Sequence, residues 1–335
     1  MSSHTTSSRP LVIDGLNCAG LTREQLIRTR EGGVSAINLT AIHPDATLAD
    51  ALVQLEEARG IIEAMPDVAT VVKSVAEIQQ AHDEHRVGVI FGAQNTLMAE
   101  PDVRILASFK QLGMRIIQPT YNEKNRFGYG APFVGDSDQG MTDDAYDWLG
   151  EMEELRLLVD LSHCGHRTSA DFVKAAKRPL VISHGNAYAL CPSPRNKPDS
   201  LIRAVAENGG LVGAVSWSPI VRWDKRPTLD DLVAHIAYMV KIGGIDHVAF
   251  ASDLPEANGE TEEEWEARWG KNGLYPNITG SLGPWYRFGT HVTQGYESMA
   301  KTPAVWDAMS KQGFHEGEIE KIMSGNWLRV LKEVW

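Results

Sequence analysis

Residues 157–163 read Leu-Leu-Val-Asp-Leu-Ser-His163, and residues 179–184 read Pro-Leu-Val-Ile-Ser-His184. Two apolar runs thus each end in Ser-His, and residues 168–177 between them have the spacing of an amphipathic helix. Strand, helix, strand is the economical reading. A parallel pair needs such a crossover, so both strands run the same way and both histidines sit at C-terminal ends, one strand apart. Two imidazoles therefore converge on one rim. Imidazole is the commonest metal-binding side chain, and strand C-termini are where parallel α/β folds place their chemistry. One such histidine reads as the cap of a buried strand; a matched pair predicts a shared site.

The alternation extends outward from there. Towards the N-terminus, strands are predicted over 11–14, 34–41, 87–91 and 115–120, with a helix opening at the Thr22-Arg-Glu-Gln25 capping pattern. Residues 48–82 read as helical with a break at Pro66, and 102–112 and 143–155 as further helices. The Gly- and Asp-rich loop 127–140 is long enough to be functional. Beyond His184 come a helix over 198–207, a strand over 210–217, a helix over 229–242 and a strand over 247–251 that delivers Ser252-Asp253. Eight strands alternating with helices predict an α/β fold of the (β/α)8 TIM-barrel type. Residues 255–295 carry Trp265, Trp269, Trp285 and Tyr286 among acidic residues and read either as an active-site cover or as a surface excursion. Helices over 303–311 and 316–334 close the chain, so 1–335 is expected to be a single barrel domain with one rim insertion.

At 335 residues and 43% hydrophobic content the chain supports a sizeable core, and nothing in its middle resembles a linker. A formal charge of -12 argues against nucleic acid or an anionic membrane surface as a partner. Cys18, Cys164 and Cys191 form an odd set without metal-finger spacing, which suits a reducing compartment. The polar first ten residues lack the apolar core of a signal peptide, and no run approaches the roughly 20 apolar residues of a membrane span. The sequence therefore reads as a soluble, cytoplasmic protein.

Several short motifs then line up in order: Ile13-Asp-Gly15, Arg115 opening a strand, Asp160-Leu-Ser-His163, Ser183-His184, Arg195-Asn196 followed by Asp199, Ser252-Asp253, and Gly325-Asn326-Trp-Leu-Arg329. Each is weak alone. Together, over nearly the whole chain, they resemble the membrane (renal) dipeptidases, metal-dependent hydrolases of the amidohydrolase-like barrel group. The resemblance implies two zinc ions at the rim, bridged by a glutamate and a hydroxide that attacks the peptide carbonyl. It also implies an arginine that grips the substrate carboxylate, and a homodimer. Against that pattern the first-strand His-x-Asp falls on Leu16 and Cys18, the bridging glutamate on Gln94, and a substrate-facing histidine on Tyr121. His163, His184, Arg195 and Asp253 match.

Two divalent ions a few ångströms apart repel strongly and depend on bridging anions, which Gln94 and Leu16 do not supply. One zinc is therefore expected rather than two. His163 and His184 are two of the three protein ligands a catalytic zinc usually has, and the third is Asp253, Cys18 or the amide oxygen of Gln94. Cys18 reads more simply as a small buried residue in the place of a lost ligand. Arg195 is a planar fork suited to a carboxylate, with Asn196, Gln94 and Asn122 beside it as substrate-binding candidates. Asp253 is the candidate general base or proton shuttle. Tyr121 either donates to a developing oxyanion or walls the pocket. Cys164 and Cys191 read as inert thiols, and His43, His166 and His291 as surface residues.

Three functions fit these residues. The first is a single-zinc hydrolase of a small carboxylate-bearing amide or dipeptide-like substrate. The second is a lyase or isomerase that moves protons at carbon on a barrel whose hydrolytic centre was lost. The third is a non-catalytic binder of a small acid.

Overall fold

The structure is a computed structural model that describes residues 10–256, 260–274, 276–280 and 282–335. The polar N-terminal segment 1–9, which bears on the signal-peptide reading, lies outside the described residues, as do 257–259 of the rim insertion. Among the described residues there are nine strands: β1 (Ile13–Asn17), β2 (Ala36–Ile42), β3 (Ala69–Val71), β4 (Val87–Ala93), β5 (Met114–Ile117), β6 (Leu158–Val159), β7 (Val181–Ile182), β8 (Leu211–Val215) and β9 (Val248–Ala251). All pair in parallel. Runs such as Val87-Gly-Val-Ile-Phe91 are apolar at every position because both faces of such a sheet are covered.

The order β1-β2-β4-β5-β6 in one sheet and β7-β8-β9 in a second bends into a barrel at two seams. Asp160 bridges to Val181, with the Leu161 N–H donating to the Val181 carbonyl at 2.8 Å. On the other side, the Asp253 N–H donates to the Leu16 carbonyl at 2.9 Å. There the Asp14 carboxylate also accepts from the Ser252 N–H and O–H at 2.7 and 2.6 Å. With β3 set apart, eight strand positions form the expected (β/α)8 barrel.

The structure departs from the sequence pattern at three places. Residues 69–71, read as helical, form β3, because Pro66 ends the preceding helical stretch and Val68 to Val72 is rich in β-branched residues. β3 pairs with Val87 to Val89, while Phe91 to Ala93 pair with β5, so it fills the wedge between two barrel strands. The first strand continues past Asp14 to Asn17. Gly15 permits this: a Cβ there would lie 2.7 Å from the Ser183 carbonyl oxygen and 3.0 Å from that of Phe250. Finally, the last helix is interrupted by a π-turn at Lys321–Gly325. Asn326 then donates to the carbonyls of Ile245 and Val248 at 2.8 and 2.7 Å, and Trp327 is buried beneath the barrel, which gives that motif a structural role.

The insertion folds on its own small core of Trp265, Leu282 and Tyr286, with helices Glu262–Trp269 and Pro276–Thr279. Among the described residues no helix is long and apolar enough to cross a membrane.

Candidate active site at the barrel rim

Asp160 anchors the rim. Lying just past β6, it is buried and accepts from the Ser162 N–H and O–H at 3.0 and 2.5 Å, the Ser183 N–H and O–H at 2.9 and 2.6 Å, and Gln118 Nε2 at 2.8 Å. These bonds tie β5, β6 and β7 together and set both Ser-His turns. The Ser183 hydroxyl uses its proton in the hydrogen bond to Asp160, so at 2.7 Å its oxygen accepts from His184 Nδ1–H. His184 Nε2 therefore carries a lone pair; it is buried and has no hydrogen-bond partner.

His163 has the same tautomer and a different neighbour. Its Nε2 lies 3.0 Å from Arg195 Nη2, and because a guanidinium can only donate, Nε2 is the acceptor. Nδ1–H then donates to Asn122 Oδ1 at 2.9 Å. The ring stacks on Tyr121 with centroids 4.1 Å apart and lies 5.1 Å from the His184 ring. Arg195 is 1% exposed and also donates from Nη1 to the Ser162 carbonyl. Burial lowers its pKa, with Asp253 opposing. Burial, and then the Arg195 charge, hold both histidines well below the usual imidazole range, so both are neutral.

Across the pocket Cys18 Sγ donates to Asp253 Oδ1 at 3.0 Å. Burial raises the Asp253 pKa, with the Cys18 hydrogen bond and Arg195 holding it back. Burial and the Asp253 charge push the Cys18 thiol well above its ordinary value, although its side chain opens onto the pocket. Asp253 has φ of 42°, a left-handed conformation rare for a non-glycine residue and typical of strained functional positions. Gln94 Nε2 donates to Thr40 Oγ1 at 2.8 Å and approaches Cys18 Sγ at 3.9 Å.

A cavity of about 460 Å³ brings together Cys18, Gln94, Tyr121, Asn122, His163, Arg195 and Asp253. His184 lies behind this wall, fully buried. Asn196 is not in it. Its Nδ2 donates to the carbonyls of Cys191 and Ile220, both at 2.8 Å, and its Oδ1 accepts from the Asn186 N–H, so the substrate-binding expectation for Asn196 is corrected to loop bracing. Trp269, named above in the candidate cover, lines the cavity, and sequence reasoning missed Thr40, Trp217, Arg268, Leu274 and Ile278, which also line it. The tryptophan-rich composition of 255–295 was the available signal, and residues of that insertion, Trp269 and Ile278 among them, line the cavity of their own chain. Lys197 was missed too: fully buried, it donates to the Leu161 and Cys164 carbonyls at 3.1 and 2.8 Å, and burial followed by the Arg195 charge takes its pKa down to about 7. The histidine directly after β2, His43, reaches the cavity edge. His166 instead bonds the Asn196 carbonyl, and His291 packs on Trp265. Cys164 and Cys191 are buried free thiols, as expected of inert ones.

The barrel, the paired histidines at its C-terminal rim and the arginine beside them define a dipeptidase-like hydrolase. The chain belongs to the membrane dipeptidase family (peptidase family M19), which matches it over residues 16–282. It is 30% identical over 270 residues to an uncharacterised protein from the region 5′ of pqqA in Klebsiella pneumoniae, covering 78% of this chain and 88% of that one. Among solved structures it resembles an amidohydrolase from Pseudomonas aeruginosa, with a TM-score of 0.85, 28% identity, and coverage of 98% of this chain and 97% of the other. It shares its fold with a metallo peptidase from Rhodobacter sphaeroides liganded with a phosphinate mimic of the dipeptide L-Ala-D-Ala, with a TM-score of 0.78, 21% identity, and coverage of 98% and 100%.

Membership implies metal dependence, and the residues present can be tested against a zinc ion. Among the described residues no group of three or more His, Cys, Asp or Glu converges as a ligand set. The expected trio of His163, His184 and Cys18 is thus not assembled: the His163 lone pair is taken by Arg195 and the thiol is committed to Asp253. A guanidinium about 4 Å from a divalent ion would repel it by roughly 8 kcal/mol at an effective dielectric of about 20. The donor set does not fit the ion.

Proposed function

We propose that the chain is a hydrolase of a small, carboxylate-bearing amide or dipeptide-like substrate, acting in the rim cavity as a single barrel domain with its insertion as cover. The observation that carries this reading is the convergence of Arg195, Asp253, Tyr121 and Asn122 on one cavity in a dipeptidase-family barrel. Arg195 supplies a positive charge for the substrate carboxylate, and among the described residues two of its five N–H donors are used, on His163 and Ser162. Asp253 takes a proton from the attacking water and returns it to the leaving amine, a role suited to a carboxyl whose pKa is raised. Cys18 orients that carboxyl through its S–H bond. Tyr121, held flat on His163, faces the cavity to donate to the developing oxyanion. No step is routed through zinc, for which the donors do not fit. Three free thiols among the described residues support the cytoplasm as its compartment.

The test is turnover of a panel of L,L- and L,D-dipeptides and N-acyl amino acids by the purified chain. Asp253→Asn is expected to lower kcat on the order of 10²- to 10⁴-fold, with the melting temperature held. A panel without turnover, or an unaffected variant, refutes the reading. The Cys18–Asp253 pair favours one second reading, a lyase or isomerase that moves a proton at carbon. Solvent deuterium entering the Cα position of a small amino acid without amide cleavage would select it.

A further inference from the structure

We infer that Arg195 holds the metal's place on His163, so that the rim carries a fixed guanidinium where the family implies a zinc ion. Four observations converge on this.

The first is the hydrogen bond itself. Arg195 Nη2 sits 3.0 Å from His163 Nε2, the ring nitrogen whose lone pair a metal would need, and Asn122 on Nδ1 locks the tautomer that leaves this lone pair to the guanidinium. The second is the seat. Arg195 is almost wholly buried, and its Nη1 donates to the carbonyl of Ser162, the residue before His163, so the fork grips one Ser-His turn at two points. This is a built position and not a side chain resting on a surface.

The third is the fate of the remaining donors. Leu16 is buried and apolar, Gln94 turns its NH₂ towards Thr40 and Cys18, and the Cys18 thiol is bound to Asp253. One unshared imidazole lone pair remains, on His184 Nε2, where a zinc site needs about three protein ligands. The fourth is charge. Lys197 lies behind Arg195, donating to the carbonyls of Leu161 and Cys164, so two buried basic residues already flank the histidines. Gln94 is neutral, and of the carboxylates that line the cavity (Asp45, Asp253, Glu256 and Glu260) Glu256 is engaged by Gln25, Ser298 and the Met299 N–H and Asp253 by the Cys18 thiol. The Asp253 carboxylate already accepts from the Cys18 thiol and is offset by the Arg195 charge.

The arginine thereby keeps a permanent positive charge on the His163 lone pair, where a metal would bring one only on loading. This inference does not rest on the hydrolase reading, because its test reads metal and not turnover. Purified wild-type protein is titrated with zinc chloride by calorimetry, then dialysed against metal-free buffer and its zinc counted by mass spectrometry. The same is done for Arg195→Met, which keeps most of the volume and removes the charge and the donors, and for the double variant with His163→Ala. Wild type is expected to retain no zinc and to show no thermal shift with it. Arg195→Met is expected to gain about one zinc per chain with an affinity at least ~10-fold above wild type, and the double variant to lose that gain. Wild type that retains one or more zinc ions after dialysis overturns the inference, whatever becomes of the variants. So does an Arg195→Met protein that folds and binds zinc no better than wild type.

Discussion

Removing the charge of Asp160 is the sharpest probe of how the rim is held. In Asp160→Asn one oxygen becomes an NH₂. Placed at Oδ2 it faces the Ser183 hydroxyl and Gln118 Nε2, now at 2.6 and 2.8 Å as donors; placed at Oδ1 it faces three donors, two of them backbone N–H groups that do not turn around. The Oδ2 placement is therefore the cheaper one. The Ser183 hydroxyl can reverse and accept from the new amide, losing its bond into Asp160 and sending its proton towards Ser162 Oγ at 3.2 Å. Gln118 has no such escape, because its Oε1 already accepts from the His163 N–H at 3.2 Å and flipping the amide breaks that bond. One opposed donor pair and the loss of charge assistance on the surviving bonds come to about 3 kcal/mol. For 335 residues the unfolding entropy is about 0.7 kcal/mol/K, so the melting temperature falls by about 4 °C. Asp160→Ala leaves every donor unpaired and falls further, by about 6 °C for roughly 4 kcal/mol. Circular dichroism melts at pH 7 check both. A shift under about 1 °C in both variants refutes the account of Asp160 as the hub joining β5, β6 and β7.

Two further perturbations read the site and its frame. In Cys18→Ala the thiol donor that holds the Asp253 pKa down is gone, so that pKa rises above its already raised native value. A base works only when ionised, so the acidic limb of the kcat/KM profile moves to higher pH; a limb that stays in place or moves to lower pH excludes Asp253 as the base. In Gly213→Ala a Cβ would sit 1.9 Å from the Ser183 carbonyl oxygen, so β7 and β8 must part where His184 is carried. A destabilisation of about 3 kcal/mol or more is expected, read as a drop of at least about 4 °C in melting temperature or as loss of soluble protein.

The barrel was legible because its signals are local and repeated. Each strand is a short apolar run bounded by turn residues, and parallel pairing with right-handed crossovers leaves few ways to arrange eight of them. What sequence reasoning missed is non-local. β3 is stabilised by filling the wedge beside β4, and nothing within 69–71 records that wedge. The strand character of Gly15 depends on the Ser183 and Phe250 carbonyls far along the chain, and a glycine read in isolation signals a turn. The pocket-lining residues of the insertion were visible only as an unusual density of tryptophan in an acidic stretch.

The rim shows a sharper form of the same limit. His163, Arg195, Cys18, Gln94 and Asp253 line one cavity, yet the inventory of side chains does not determine the chemistry, because a ring nitrogen or a thiol there has more than one candidate partner. His163 Nε2 suits a metal or a guanidinium, and Cys18 suits a metal or a carboxylate. The competition is decided by backbone geometry. Residue 195 lies on the loop after β7, close enough for its fork to reach both the Ser162 carbonyl and the neighbouring ring, and residue 18 lies one residue past β1, facing the Asp253 turn. Two pairings then satisfy four polar groups within the chain, and a zinc ion must break both to assemble three ligands. That exchange becomes less favourable with every anion removed, and Gln94 and Leu16 are neutral residues at the positions where the family resemblance places carboxylate or imidazole. Substituting Gln94→Glu alone therefore does not restore a metal site, since Arg195 still caps His163; Gln94→Glu combined with Arg195→Met is the smallest change that both frees the lone pair and returns a charge.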